Sequence, residues 1–159
     1  MVTEDKNLSF FRKEELPSVK DLRFGIVVSS WNNVITDKLY SGAFDTLLDL
    51  GVSKSDIITY HVPGSFELIF GANKISDQNI DAIICLGSII RGETKHFDFV
   101  CNAVSQGVKD LNIILDIPVI FGVLTDDNID QAHSRSGGKY GNKGIEAAIT
   151  AIKMASLDR

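Results

Sequence analysis

Four short apolar stretches alternate along the chain with longer amphipathic ones. The apolar stretches are predicted to be β-strands, and they cover residues 24–30, 56–62, 82–90 and 118–125. The first, third and fourth are nearly continuous in apolar residues, which is typical of strands covered on both faces. The pattern therefore predicts a sheet that lies between two layers of helices.

Helical stretches fill the intervals between these strands and follow the last one. They are predicted at residues 36–50, 66–75, 94–111, 128–135 and 143–157. The longer ones repeat apolar residues every three or four positions, as helices packed on a sheet do. Strands that alternate with helices favour a parallel sheet with right-handed crossovers. We therefore predict an α/β fold, a three-layer sandwich with four parallel strands and helices on both faces.

Length and composition limit the possible functions. The 159 residues correspond to one domain, in which residues 1–20 form an N-terminal segment. The net charge of −5 argues against a nucleic-acid partner. No secretory signal or apolar run of ~20 residues is visible, so no membrane is expected. Cys85 and Cys101 have no histidine partners at short spacing, which predicts reduced thiols in a cytoplasmic protein and no metal site.

Ligands of parallel sheets bind outside the carboxyl ends of the strands. Trp31 leaves the first strand there, where its ring can stack on a planar ligand or serve protein packing. After the second strand, Ser65 is a predicted N-cap for a helix that begins at Phe66. Glu67 lies in the first turn of that helix, where a carboxylate suits the helix dipole. His61, near the strand end, is interpreted as structural.

The third strand leads into the charged stretch GSIIRGETKHFDF, residues 87–99. A helix that begins at Thr94 leaves unpaired backbone N–H groups in the preceding turn, and such groups attract phosphate. His96 falls in the first helical turn, where the positive end of the dipole favours a neutral imidazole that can move protons near pH 7. Arg91 either pairs with a neighbouring carboxylate or contacts the substrate.

A glycine-rich stretch, SGGKYGNKG, covers residues 136–144. It follows a helix rather than a strand and lacks the spacing of a phosphate-binding P-loop, and no G-x-G-x-x-G follows the first strand. Nucleotide binding is therefore not predicted. Arg135, just before these glycines, is either a cation at a helix C-terminus or a ligand of an anion.

Five motifs occur in order along the chain: GIVVSSWN, VPGSFE, LGSIIRGETKHFDFV, PVIFGVLT and GGKYGNKG. Together they resemble the lumazine synthase family, from about residue 24 to residue 157. The resemblance implies a flavodoxin-like sheet and a transferase of riboflavin biosynthesis that needs neither cofactor nor metal. Such enzymes condense 5-amino-6-(D-ribitylamino)uracil with 3,4-dihydroxy-2-butanone 4-phosphate to 6,7-dimethyl-8-ribityllumazine and release phosphate.

The resemblance also implies roles for individual residues. The residues matched to the uracil ring and ribityl chain are Trp31, Ser65, Phe66, Glu67, Ser88, Ile89, Ile90 and Phe121, the last from a neighbouring subunit. Those matched to the butanone phosphate are Glu93, Thr94 and Arg135, with Arg135 from the adjacent subunit and Lys143 nearby. His96 matches the proton-transfer histidine. Many relatives have alanine in place of Glu93, so its carboxylate is expected to point away from the anion.

A site built from two subunits implies a homo-oligomer. Members of the family form pentamers, and some close into an icosahedral 60-mer that can associate with riboflavin synthase. The short glycine-rich stretch at residues 136–144 resembles that of shell-forming members, which favours the 60-mer for this chain. Residues 8–12 are expected to add a strand to a neighbour's sheet. Two alternatives are a non-catalytic lumazine- or flavin-binding shell protein and a flavodoxin-like flavin or signalling domain. The signalling domain is disfavoured because no aspartate ends any of the first three strands.

Overall fold

A computed structural model describes residue 9 and residues 11–157 of the chain. The elements follow one another in the order β1 (Phe24–Ser29), α1 (Asn33–Asp49), β2 (Ile57–Val62), α2 (Leu68–Ile75), β3 (Ala82–Ile90), α3 (His96–Ile114), β4 (Val119–Asp126), α4 (Ile129–Arg135), β5 (Ser136–Gly138), β6 (Gly141–Asn142) and α5 (Lys143–Ala155). The predicted alternation of strands and helices is therefore confirmed.

The four long strands form one parallel sheet in the order β2-β1-β3-β4. The register aligns Phe24 of β1 with Ile57 of β2 and Ala82 of β3, and it aligns Ile90 of β3 with Asp126 of β4. Because all pairs are parallel, the carboxyl ends of the four strands share one edge of the sheet. That edge is where a ligand site is expected in an open α/β sheet.

Two apolar clusters cover the two faces of the sheet. Ile26 and Val28 of β1 pack in one cluster with α1 and α5, whereas Val27 packs in the other with α2 and α3. Side chains of a strand alternate between its faces, so each central strand contributes to both layers. The three-layer α/β sandwich is confirmed, with helices on both faces.

The helix that follows β2 at the carboxyl edge of the sheet does not begin where the sequence predicts. α2 begins at Leu68, two residues later than predicted, and its N-terminal flanking residue is Glu67. The prediction that Ser65 is the N-cap is wrong. Its backbone oxygen accepts a hydrogen bond from the Leu68 N–H at 3.3 Å, but its side chain is buried against β3. A Cβ atom added to Gly87 would lie 2.6 Å from Ser65 Oγ, so packing against the sheet decides the position of this side chain.

Two further helices also differ from prediction at their N-termini. α1 begins at Asn33 rather than at residue 36, after Asn32 in the left-handed conformation with φ of 58°. α3 begins at His96 rather than at Thr94. Thr94 still supports the helix start, because its Oγ1 accepts a hydrogen bond from the His96 backbone N–H at 3.3 Å.

The glycine-rich stretch forms a β-hairpin of β5 and β6 between α4 and α5. Gly137 and Gly141 have positive φ angles of 112° and 79°, which side chains other than glycine rarely adopt. Asn142 then caps α5, since its Oδ1 accepts hydrogen bonds from the backbone N–H groups of Gly144 and Ile145. The predicted break between the last two helices is confirmed.

Two predictions concern features beyond the sheet. Among the described residues, no helix is both long and apolar enough to cross a membrane. The strand expected at residues 8–12 lies partly outside the described residues, because residues 8 and 10 are not among them. It therefore stays a prediction.

Candidate active site

A cavity of about 670 Å³ opens at the carboxyl edge of the sheet. It is lined by Trp31, Asn32, Gly64, Ser65, Phe66, Glu67, Ser88, Ile89, Ile90, Gly92, Thr94, His96, Phe97 and Val100. Nine of the predicted site residues are among them, drawn from the ends of β1, β2 and β3. Asn32, Phe97 and Val100 also line the cavity, although the sequence did not predict them as site residues.

Two exposed aromatic side chains stand at the wall of the cavity. Trp31 is 71% exposed and Phe66 is 56% exposed, so neither is held in the core of this chain. The Trp31 backbone N–H donates a hydrogen bond to the carbonyl oxygen of Pro63 at 3.0 Å, which joins the loops after β1 and β2. The wall therefore offers flat faces for a planar ring, at a position that the backbone fixes.

The end of β3 forms a second side of the cavity. Ser88 is buried, and its Oγ has no hydrogen-bond partner within the described part of the chain. Its backbone oxygen accepts a hydrogen bond from Asn32 Nδ2 at 2.9 Å. A buried hydroxyl without a partner is costly, so a ligand with a polar edge would satisfy Ser88.

The turn between β3 and α3 is the most open part of the site. Residues 91–96 are all exposed, and a Cβ atom added to Gly92 would meet nothing within 4 Å. Gly92 and Thr94 line the cavity, whereas Glu93 does not. The first N–H groups of a helix have no intrahelical partner and carry partial positive charge, so an anion can approach here. His96, the first residue of α3, faces the same space.

Arg91 lies beside this turn but does not line the cavity. Its Nε donates to Asp127 Oδ1 at 2.8 Å, and its Nη1 donates to Asp98 Oδ1 at 3.3 Å. The hydrogen bond to Asp127 raises the pKa of the Arg91 guanidinium. Of the two roles left open for Arg91, pairing with carboxylates is the one that the structure contains.

Three predicted site residues lie away from the cavity of their own chain. Phe121, in β4, packs at the margin of the cluster formed with α2 and α3. Arg135, the last residue of α4, has its Nη2 4.0 Å from Glu146 Oε1. Lys143 Nζ donates to Glu146 Oε2 at 3.1 Å. The structure brings Arg135 and Lys143 together at one carboxylate, but it does not bring them to the cavity.

Glu146 is a buried charged residue that the sequence analysis missed. It is 3% exposed and sits on α5 between two cations. Its Oε1, together with Arg135 Nε and Asp126 Oδ2, is buried with no hydrogen-bond partner among the described residues. Lys143 and Glu146 are three residues apart in a predicted helix, and this spacing could have predicted their ion pair from the sequence.

No group of three histidine, cysteine, aspartate or glutamate side chains in the described ranges could hold a metal ion. Cys85 and Cys101 are both free thiols. Burial in β3 raises the pKa of Cys85 to about 12, so this thiol is protonated and unreactive at neutral pH.

Comparisons with known proteins agree on one family. A family model described as 6,7-dimethyl-8-ribityllumazine synthase matches residues 21–159. A protein with that name from Flavobacterium johnsoniae is 62% identical over 158 residues, which cover 99% of this chain and 83% of the relative. The relative from Christiangramia forsetii is 60% identical, with 99% and 95% covered. The one from Porphyromonas gingivalis is 51% identical, with 100% and 99% covered.

The carboxyl group of Asp126, at the end of β4, should make the stability of the protein depend on pH. Burial raises the pKa of its carboxyl, although the charge of Arg135 opposes the shift. Because the pKa of Asp126 in the folded state lies above the unfolded value of ~3.9, the free energy of unfolding falls as the pH rises from the unfolded pKa through the folded one. We therefore expect Asp126→Asn to raise the free energy of unfolding at pH 7, by an amount that shrinks as the pH approaches about 4.

Urea unfolding at pH values from 4 to 8 measures this difference. Asp45→Asn, at an exposed position on α1, is the control and should show no such trend. If Asp126→Asn is less stable than the wild type at pH 7, attraction to Arg135 outweighs the cost of burial and the assignment is wrong.

Proposed function

Because the chain belongs to the 6,7-dimethyl-8-ribityllumazine synthase family, we propose that its cavity joins 5-amino-6-(D-ribitylamino)uracil to 3,4-dihydroxy-2-butanone 4-phosphate. The product is 6,7-dimethyl-8-ribityllumazine, an intermediate of riboflavin biosynthesis, and phosphate is released. The observation that carries the proposal is the identity of 62% with a named synthase over 99% of the chain. We propose a single domain for residues 1–159 and a cytoplasmic location.

The uracil is proposed to bind between the aromatic wall and the end of β3. Trp31 stacks on the pyrimidine ring, a contact of roughly 1 kcal/mol beyond the burial of area. Ser65, Phe66 and Glu67 contact the ribityl chain and the edge of the ring, and residues 88–90 lie along the ring. The buried, unpartnered hydroxyl of Ser88 supports this placement, because a pyrimidine edge offers both donors and acceptors.

The butanone phosphate is proposed to bind at the start of α3. Backbone N–H groups of the turn that contains Glu93 and Thr94 donate to the phosphate. A backbone contact does not depend on the side chain at position 93, and the exposed Glu93 side chain lies outside the cavity lining. Arg135 of an adjacent subunit completes the phosphate site, with Lys143 nearby.

The remaining parts of the site are proposed to come from a second copy of the chain. Phe121 and Arg135 both lie outside the lining of their own chain's cavity, which supports this arrangement. Phe70, Phe99 and Ile113, on α2 and α3, are 66%, 71% and 75% exposed, and a partner subunit would cover them.

The resulting assembly is proposed to be a homo-pentamer. Twelve pentamers close into a 60-mer shell, which associates with riboflavin synthase. Residues 8–12 add a strand to the sheet of a neighbour. The short hairpin of β5 and β6 supports the shell, because it keeps the link between α4 and α5 compact.

Two substrates held side by side react as if the step were unimolecular, and this positioning is proposed to supply most of the rate. The 5-amino group attacks the butanone carbonyl, and water leaves as the imine forms. His96 moves protons during these steps. Elimination then breaks the bond between carbon and phosphate oxygen, and Arg135 and the Thr94 turn stabilise the departing charge. The elimination removes the C3 proton and leaves an enol, which tautomerises to a ketone at C3. Attack by the ribitylamino nitrogen on this ketone closes the ring and releases a second water. No metal or cofactor is required.

The proposed function predicts a specific enzymatic activity. The protein should convert the two substrates into a fluorescent lumazine and release one phosphate per product, with or without a chelator. Fluorescence and a phosphate assay follow the two products. A protein that only binds lumazine would change the fluorescence of added lumazine but release no phosphate, and that result would overturn the proposal.

His96→Ala should lower kcat by about 10-fold, less than the ~100-fold that a general acid–base usually supplies, because positioning dominates. KM for the two substrates should change little. His61→Ala is the matched control, since His61 is exposed on β2 and does not line the cavity. A wild-type kcat for His96→Ala would remove this residue from the mechanism.

Arg135→Ala should raise KM for the butanone phosphate by about 10- to 100-fold, the usual effect of one charge-assisted hydrogen bond. KM for the uracil should not change. Unchanged steady-state kinetics would refute the assignment of Arg135.

Co-expression of the two variants tests whether the site is shared between subunits. In a random 1:1 mixture, about one site in four combines an intact His96 with an intact Arg135 from the neighbour. At a butanone phosphate concentration well below KM, activity above the average of the two separate variants is expected. Activity equal to that average would show that each chain builds its own site, and light scattering would give the size of the assembly.

A further inference from the structure

Arg91 connects three elements at the carboxyl edge of the sheet. It follows β3 directly, and its backbone N–H donates to the Asp126 carbonyl oxygen at the end of β4, at 2.9 Å. Its Nε reaches Asp127, which lies beyond β4, at 2.8 Å. Its Nη1 reaches Asp98, in the first turn of α3, at 3.3 Å. One side chain thus holds the start of a helix against the ends of two strands.

The guanidinium of Arg91 also lies over a wall of the cavity. Its central carbon is 4.1 Å from the centroid of the Phe97 ring. Phe97 lines the cavity, and it is the residue after His96. A cation over an aromatic face is favourable, so this contact restrains the ring that adjoins the cavity. Arg91 itself is absent from the lining and acts only through its neighbours.

The turn that leads to His96 has few other restraints. Residues 92–95 are exposed, and open space surrounds the position of a Cβ atom on Gly92. The hydrogen bond from the His96 N–H to Thr94 Oγ1 spans only two residues, so it does not tie this described turn to the sheet. Besides the packing of Phe97 and Val100 against the cluster formed with α2, the contacts of Arg91 are therefore what fixes the location of His96 relative to β3.

Removal of Arg91 would change charge as well as geometry. Asp98 and Asp127 are 52% and 65% exposed at their side chains, and both would lose their cation. Exposed ion pairs contribute little to the stability of a protein. A shift of about 1 Å in a reacting group can nevertheless lower a rate by ~100-fold. A defect in catalysis with little loss of stability is the signature of such a residue.

We propose that Arg91 is a positioning residue for His96, which it holds at the site by clamping the first turn of α3 to the ends of β3 and β4. The role rests on the proposed function, because it assumes that His96 transfers protons in lumazine formation. Arg91 restrains the imidazole without contacting either substrate.

A double-mutant cycle tests this role. Arg91→Gln should lower kcat by about 3- to 10-fold in the wild-type background, part of the effect of removing His96. In the His96→Ala background it should lower kcat by no more than about 2-fold, because there is no imidazole left to position. An equal decrease in both backgrounds, or no decrease in the wild type, would overturn the proposal.

Three further variants exclude an effect on folding alone. Asp127→Ala removes the acceptor of the shorter contact from an exposed position, so it should reproduce the pattern of Arg91→Gln. Arg91→Lys should restore only part of kcat, since lysine cannot bridge both carboxylates with a planar fork. Lys109→Gln removes another exposed ion pair of α3, that with Asp110, and should have no effect.

Hydrogen exchange separates the proposal from the proposed function. The amides of Asp98 and Phe99, which donate to the Lys95 carbonyl oxygen, should exchange about 10-fold faster in Arg91→Gln than in the wild type, whatever the reaction is. Unchanged exchange would refute the clamp even if lumazine is formed. Faster exchange in a protein that forms no lumazine would instead refute the proposed function.

Discussion

The two central strands are buried along nearly their whole length, and this constraint determines where chemistry can occur. Every residue of β1 is buried, as is every residue of β3 except the last. Polar side chains within such strands would lose water without gaining partners. Candidate functional groups are therefore found at the last residues of a strand, as with Ser88 in β3, and in the segments beyond the strand ends. Because the four strands are parallel, those segments meet at one edge, and the cavity lies there.

The same burial made most of the fold predictable from sequence. Continuous apolar runs marked β1, β3 and β4, and their alternation with helices implied a parallel sheet. The helix starts at the ligand edge were harder to predict. Ser65 fits the rules for an N-cap, but its side chain is buried against Gly87 instead. A contact between β3 and the loop after β2 outweighed a local preference, and a local rule cannot anticipate such a contact.

The candidate site shows the same division between local and distant information. The strand-end rule and the first turn of α3 directed attention to Trp31 and His96, and the resemblance supplied specific roles. The partners of Arg91 lie seven and 36 positions away in the sequence. Glu146 resembles an ordinary helix carboxylate until the structure shows it buried beside Arg135 and Lys143. Ionic contacts between distant segments have no periodic signal, so the sequence left them undetermined.

The cluster around Glu146 also bears on the proposal that a second chain completes the site. A buried carboxylate needs compensating charge and hydrogen bonds. Lys143 supplies one bond at 3.1 Å, but Arg135 remains 4.0 Å away, and its Nε has no partner in the described chain. The guanidinium is thus held near Glu146 without being fully engaged, which leaves donors for an anion. Such a donor set fits the proposal that Arg135 binds the phosphate at the α3 start of an adjacent chain.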